Sequence, residues 1–126
     1  MALAADARRD DAPRRDVARL EPADVVAELA EILGTRLVAY IGGASHTKFV
    51  RTWREGTAAP RRLDALRGAL QATRFLLATE SPNVAQAWFT GANTHLELEA
   101  PATVLRDATR PDDITKVVRA AKAFAS

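Results

Sequence analysis

The sequence predicts an all-α fold. Apolar residues recur at three- and four-residue spacing along most of the chain, and Pro, Gly and Ser/Thr fall where such runs begin and end. The one stretch that alternates in twos, His95–Glu99, has no second strand to pair with and reads as a loop. Val25, Val26, Leu29, Ile32 and Leu33 predict a helix over 22–33, opened by Pro22 and closed by Gly34. Thr35 is placed to cap a short helix carrying Leu37, Val38 and Ile41, stopped by Gly42-Gly43. Ser45 is placed to cap another, with Phe49, Val50 and Trp53 on one inner side and Gly56 as the exit. After Pro60, the leucines at 63, 66, 70, 76 and 77 with Phe75 predict a long amphipathic helix. Ser81-Pro82 starts a helix through Ala85, Trp88 and Phe89, ended by Gly91. Ala102–Arg106 reads as one or two turns after Pro101, and Pro111 opens a last helix with Ile114, Val117, Val118, Ala121 and Phe124 on one stripe. Residues 1–16 carry almost no apolar bulk and predict a mobile arm. The expected plan is a flexible arm over 1–20, a four-helix helix-turn-helix domain over 21–79 and a small helical domain over 80–126.

Composition bounds the function. The chain has 126 residues, no cysteine and two histidines, His46 and His95. These exclude a disulfide framework and a thiolate metal site and argue against a multi-histidine centre. No apolar run reaches the roughly 18–20 residues that cross a bilayer, and the first residues lack the apolar stretch of a secretory leader. A cytoplasmic protein is the expectation. There are no paired carboxylates in an apolar setting, no Ser/His/Asp set and no phosphate-cradling glycine loop, so an enzyme is not expected. The net charge of +2 conceals an asymmetry. Residues 21–34 hold four acids and no base, whereas residues 35–74 hold eight bases against two acids, a net of +6. Such a basic middle segment is the footprint of a polyanion contact, or else a solvated helix face.

The two short helices on either side of Gly42-Gly43-Ala44 form a helix-turn-helix pattern. A recognition helix needs small or basic side chains near its N-terminus to enter the major groove and a packed reverse side to hold its angle. Val50 and Trp53 supply the reverse side. Ser45, His46, Thr47, Lys48 and Arg51 are the candidates for bases or phosphates, with Arg54, Arg61 and Arg62 for the DNA backbone.

The run Val50, Trp53, Gly56, then Pro60, Arg62-Leu63 and a long apolar helix resembles an Xre-type helix-turn-helix. Residues 88–107 (WFTGANTHLELEAPATVLRD) and the helix after them resemble the C-terminal domain of the Xre/MbcA/ParS antitoxins, with Asn93, Leu96, Pro101, Leu105 and Asp107 on that family's motif positions. The resemblance covers about residues 22–126. Two departures stand out: the turn Gly42–Ser45 is one residue longer than the family's usual turn, and the paired glycine of the C-terminal motif is replaced by Thr94–Glu99.

The resemblance implies the antitoxin of a type II toxin–antitoxin pair. Its partner would be a RES-domain toxin that degrades NAD⁺. The C-terminal half would occlude the toxin's active site, the helix-turn-helix would repress the operon by binding operator DNA, and the chain itself would need no cofactor. A homodimer within a larger hetero-oligomer is implied too. The toxin-facing candidates are Trp88, Phe89, Asn93, Arg106, Arg110, Lys122, Phe124 and Ser126. Trp88 and Phe89 are adjacent, so either one faces the core and one a surface, or both are core. Arg106 and Arg110 pair with a partner's acids or are simply solvated. Phe124 enters a partner cleft or packs on its own chain. His95 has no companions for a ligand role. The competing readings are a stand-alone repressor whose C-terminal half mediates dimerisation, and a helical adaptor that no longer binds DNA.

Overall fold

Proline opens four of the helices, where its missing N–H costs no intrahelical bond and its fixed φ suits the first turn. The computed structural model describes residues 17–126; the arm expected over 1–16 lies outside them. In chain order the elements are α1 (Pro22–Leu33), α2 (Thr35–Ile41), α3 (Lys48–Glu55), α4 (Leu63–Leu77), α5 (Pro82–Thr90), a 3-10 turn (Thr94–Leu96), α6 (Pro101–Asp107) and α7 (Pro111–Phe124). No strand occurs among the described residues. The fold is all-α, as the spacing predicts.

α4 lies at the centre, between α1 on one side and α7 on the other. Its apolar positions are buried along almost its whole length, from Ala65 to Leu76. α7 crosses it closely because residue 68 is glycine: a Cβ there would run into Cγ2 of Ile114. α1 is tied to α4 by a two-point pair, Arg74 Nε to Glu28 Oε2 at 2.9 Å and Nη2 to Oε1 at 2.8 Å. α5 is tied to the end of α1 by Gln86 Nε2, which donates to Ile32 O at 2.8 Å. Buried side chains from Val17 to Ala121 join in one hydrophobic cluster, so the segments before and after residue 79 share a core.

Several local expectations need correction. Residues 17–20 are docked rather than part of an arm: Val17 is fully buried, and Arg67 Nη1 donates to Val17 O at 2.7 Å and Leu20 O at 2.8 Å. Thr35 is inside α2, and the cap is Gly34 at φ 87°, a left-handed value that glycine takes without strain. Gly34 is the only residue between α1 and α2. Ser45 does not cap α3; Thr47 holds that position, and the Lys48 N–H is met by His46 Nδ1 at 3.1 Å. Phe49 does not join Val50 and Trp53 inside. The buried face of this eight-residue helix is narrow, Phe49 falls at its edge, and it is 40% exposed. Phe124, the last residue of α7, also leaves its stripe and is 49% exposed, bordering a cleft formed with the end of α5 and the loop at 91–95.

Candidate nucleic-acid interface

The α2–α3 turn is built so that α3 sits on its partner helices with one face free. Gly42 receives the Trp53 ring: a Cβ at residue 42 would come within 2.7 Å of it. Val50 and Trp53 are 1% and 6% exposed, which fixes the roll of α3 about its axis. The helix ends on Gly56 in the left-handed region, whose N–H closes on Trp53 O.

With that roll fixed, Ser45, His46, Thr47, Lys48, Arg51 and Arg54 are all exposed. Thr47, Arg51 and Arg54, spaced four and then three residues apart, lie along one line and face Thr35 at the start of α2 across a cleft of about 340 Å³. Lys48 stands beside them, its Nζ 5.6 Å from the centre of the exposed Phe49 ring. Arg51 Nε meets Glu55 Oε1 at 3.1 Å with the arginine side chain 86% exposed. An exposed pair of this kind is worth only a few tenths of a kcal/mol, about 0.3–0.5, so it leaves Arg51 free to exchange Glu55 for a stronger anion. Arg36, exposed in the first turn of α2, lines the large apolar cleft toward α5 and is not among the residues of the α3 cleft.

Arg61 is exposed, but Arg62 is not a free backbone contact. Its stem packs over Gly43, where a Cβ would come within 2.9 Å of Arg62 Cγ, and Gly43 sits at φ 81°. Its Nη2 donates to Leu105 O at 3.4 Å and also to Ala108 O. Its Nε is buried without a partner. The reason for the correction is geometric: Arg62 precedes the first residue of α4, which faces the end of α6, so its guanidinium is drawn to the carbonyls that α6 leaves open.

The C-terminal candidates divide. Phe89 is fully buried and Trp88 is 9% exposed, so of the two alternatives for this pair both side chains are core. They pack edge to face, centroids 5.0 Å apart at 89°. Asn93 is a loop organiser. Its Oδ1 accepts from the His95 N–H at 2.9 Å, its carbonyl accepts from Leu96 and Leu98, and its own N–H donates to Glu99 O. This ring of bonds holds Glu97 and Leu98 at φ 56° and 70°, and Leu98 stands 67% exposed. Arg106 turns back onto its own chain: its guanidinium lies 4.6 Å over the Tyr40 ring and its Nη1 donates to Tyr40 O at 2.6 Å. Tyr40 Oη in turn is 3.1 Å from Thr103 Oγ1. Arg110 is exposed and precedes α7. Lys122 is exposed with its Nζ 5.8 Å from the Phe75 ring, and Ser126 Oγ donates back to Lys122 O at 2.8 Å. Phe124 borders a cleft of about 300 Å³ with Trp88, Asn93 and His95. A larger, mostly apolar cleft of about 750 Å³ runs between α2, α5 and the start of α6, floored by Leu33, Leu37, Tyr40, Ala87 and Phe89.

Among the described residues no group of three or more His, Asp or Glu is placed to hold a metal ion, and no helix is long and apolar enough to cross a membrane. What the fold and this surface define is an all-helical chain with one short basic helix set on a packed reverse side. Comparison with protein-family models, with curated proteins and with solved structures finds no match.

Proposed function

We propose that this chain binds duplex DNA through α3 and serves as the antitoxin of a RES-domain toxin, covering that enzyme with its C-terminal half. The observation that carries the DNA reading is the division of α3 into a buried reverse side, Val50 and Trp53, and a free face bearing Thr47, Lys48, Arg51 and Arg54. Short polar and cationic side chains reach base edges and phosphates there, and the buried tryptophan keeps the helix at a fixed angle to them. The partner reading rests on the resemblance of residues 88–107 and on two exposed apolar side chains of that half, Leu98 and Phe124. Of these, the aromatic Phe124 is the residue type enriched at the core of interfaces. Operators read by this motif are commonly two-fold, so a homodimer is the expected DNA-binding unit.

Two measurements test the proposal. Lys48→Ala with Arg51→Ala should weaken duplex binding and reduce its salt slope by up to about 1.8, two released counterions at about 0.9 each. An unchanged slope refutes α3 as the reader. Co-expression with a candidate RES-domain toxin should restore growth and NAD⁺, and the two proteins should co-purify. DNA binding without rescue or co-purification favours the stand-alone repressor, which the same α3 surface would serve.

A further inference from the structure

The cleft between the α3–α4 connection and the start of α7 is lined by Arg61, Arg62, Asp64, Thr109, Arg110 and Pro111, with a volume of about 390 Å³. Three arginines against Asp64 and the neighbouring Asp113 leave it with a net positive charge. Asp64 is engaged locally, its Oδ1 accepting from the Ala65 N–H at 2.8 Å. Asp113, one turn away, spends Oδ2 on the N–H groups of Thr109 and Arg110 at 3.0 and 3.1 Å. Arg62 is fixed as the inner wall by Leu105 O and Ala108 O, while Arg61 and Arg110 are exposed at the cleft, Arg110 with the Asp113 carboxylate close enough to act on it. The cleft is polar and open, the setting for a hydrated anion rather than an apolar ligand. It also adjoins the α2–α3 turn, because the stem of Arg62 lies over Gly43.

We infer that this cleft is a second seat for the duplex, in which Arg61 and Arg110 hold a backbone phosphate while α3 occupies the groove. The inference rests on the DNA reading above and moves Arg110 from the partner surface to the DNA surface. It makes the C-terminal half part of the DNA contact. The anchoring of Arg62 by carbonyls serves this seat, since a fixed inner cation lets the two exposed ones close on a phosphate from outside. Phosphate contacts of this kind set register and orientation and carry no base preference.

The test uses the full chain and a fluorescein-labelled duplex of about 30 base pairs of mixed sequence, with affinity measured by anisotropy across a salt series. Arg61→Ala with Arg110→Ala should lower the salt slope by about 1.8 and affinity several-fold. Arg61→Lys with Arg110→Lys should retain most of both, because a point charge suffices for a phosphate. Both residues are exposed, so circular dichroism should show unchanged folding in each variant. An alanine pair that leaves the slope unchanged, while Lys48→Ala with Arg51→Ala lowers it, overturns this inference and spares the DNA reading. A wild-type chain that does not bind the duplex overturns both. Pyrophosphate that raises Tm in the wild type but not in the alanine pair, with the duplex slope unaltered, would make the cleft a site for a small free anion and also overturn the inference.

Discussion

Arg62 joins the start of α4 to the end of α6 and packs its stem on the α2–α3 turn. Replacing it by methionine keeps the stem over Gly43 and removes the guanidinium that joins the start of α4 to Leu105 O and Ala108 O at the end of α6. Hydrogen bonds to a charged group are worth about 1.5–3 kcal/mol, and these are only part-buried. Their loss is offset in part because the buried, unpartnered Nε disappears too, which relieves a desolvation cost of about 1 kcal/mol or more. The balance is a destabilisation of about 1–2 kcal/mol. For a chain of this size that lowers Tm by about 4–8 °C. Urea and thermal unfolding followed by helical circular dichroism measure it, with Arg61→Met as the internal reference. Arg61 is exposed, so its variant should stay within about 0.5 kcal/mol of wild type. Equal stability of the two variants would refute the clamp and return Arg62 to the surface.

Gly68→Ala sets a helix-propensity gain of about 1 kcal/mol against an overpacking cost of about 1–3 kcal/mol where α4 meets Ile114. It should destabilise the wild type yet stabilise an Ile114→Ala background, and the same sign in both would sink the close-crossing argument. Phe89→Ala should cost about 3–5 kcal/mol in urea unfolding, whereas Phe124→Ala should change stability by under about 1 kcal/mol; similar costs would mean that Phe124 packs as core. The N–H groups of Thr109 and Arg110 hold the Asp113 carboxyl below its usual 3.8. Its stabilising share is therefore complete above pH 3.8 and is lost as pH falls through the lowered folded value. The wild type's advantage over Asp113→Asn should shrink below pH 3.8, and a constant gap down the acid limb would show that the two bonds do not hold the charge.

Element positions were legible because their signals are local. Pro22, Ser81-Pro82, Pro101 and Pro111 mark helix starts through backbone chemistry that acts within one turn, and Gly34, Gly56 and Gly91 mark exits for the same reason. The 95–99 segment read correctly as a loop, since alternation without a pairing partner cannot build a sheet. Side-chain destinations were less legible. Whether Phe124 lies on the stripe of α7 or outside it depends on what flanks the helix end, and no periodicity within α7 records that. Arg62 and Arg106 look like surface cations by composition. The carbonyls that hold them belong to residues 43–46 and 66 positions away in the chain. Trp88 and Phe89 could both be buried because α5 is flanked on more than one side, which a single-helix projection does not see. Of the proposed DNA face, the cationic residues of α3 were legible because Val50 and Trp53 fix the helix roll.

The same long-range bonds bear on how the two proposed activities relate. Arg106 grips Tyr40 at the end of α2, and Arg62 grips the end of α6 while its stem lies on the α2–α3 turn. The hydrophobic cluster continues across residue 79 without a gap, with Leu66 and Leu70 of α4 in it beside Val117 and Ala121 of α7. A chain cut after residue 79 would expose that apolar face of α4, each large side chain forfeiting about 1.5–3 kcal/mol of burial, which is a large share of the stability of so small a protein. The isolated first segment is therefore the wrong object for measuring DNA binding, because failure there would report unfolding. Point substitutions of exposed residues in the intact chain separate the surfaces, since they leave the shared core whole. On this reasoning a partner that loads α6 also loads the turn before α3, and DNA affinity measured with and without such a partner should differ even if the partner touches no DNA.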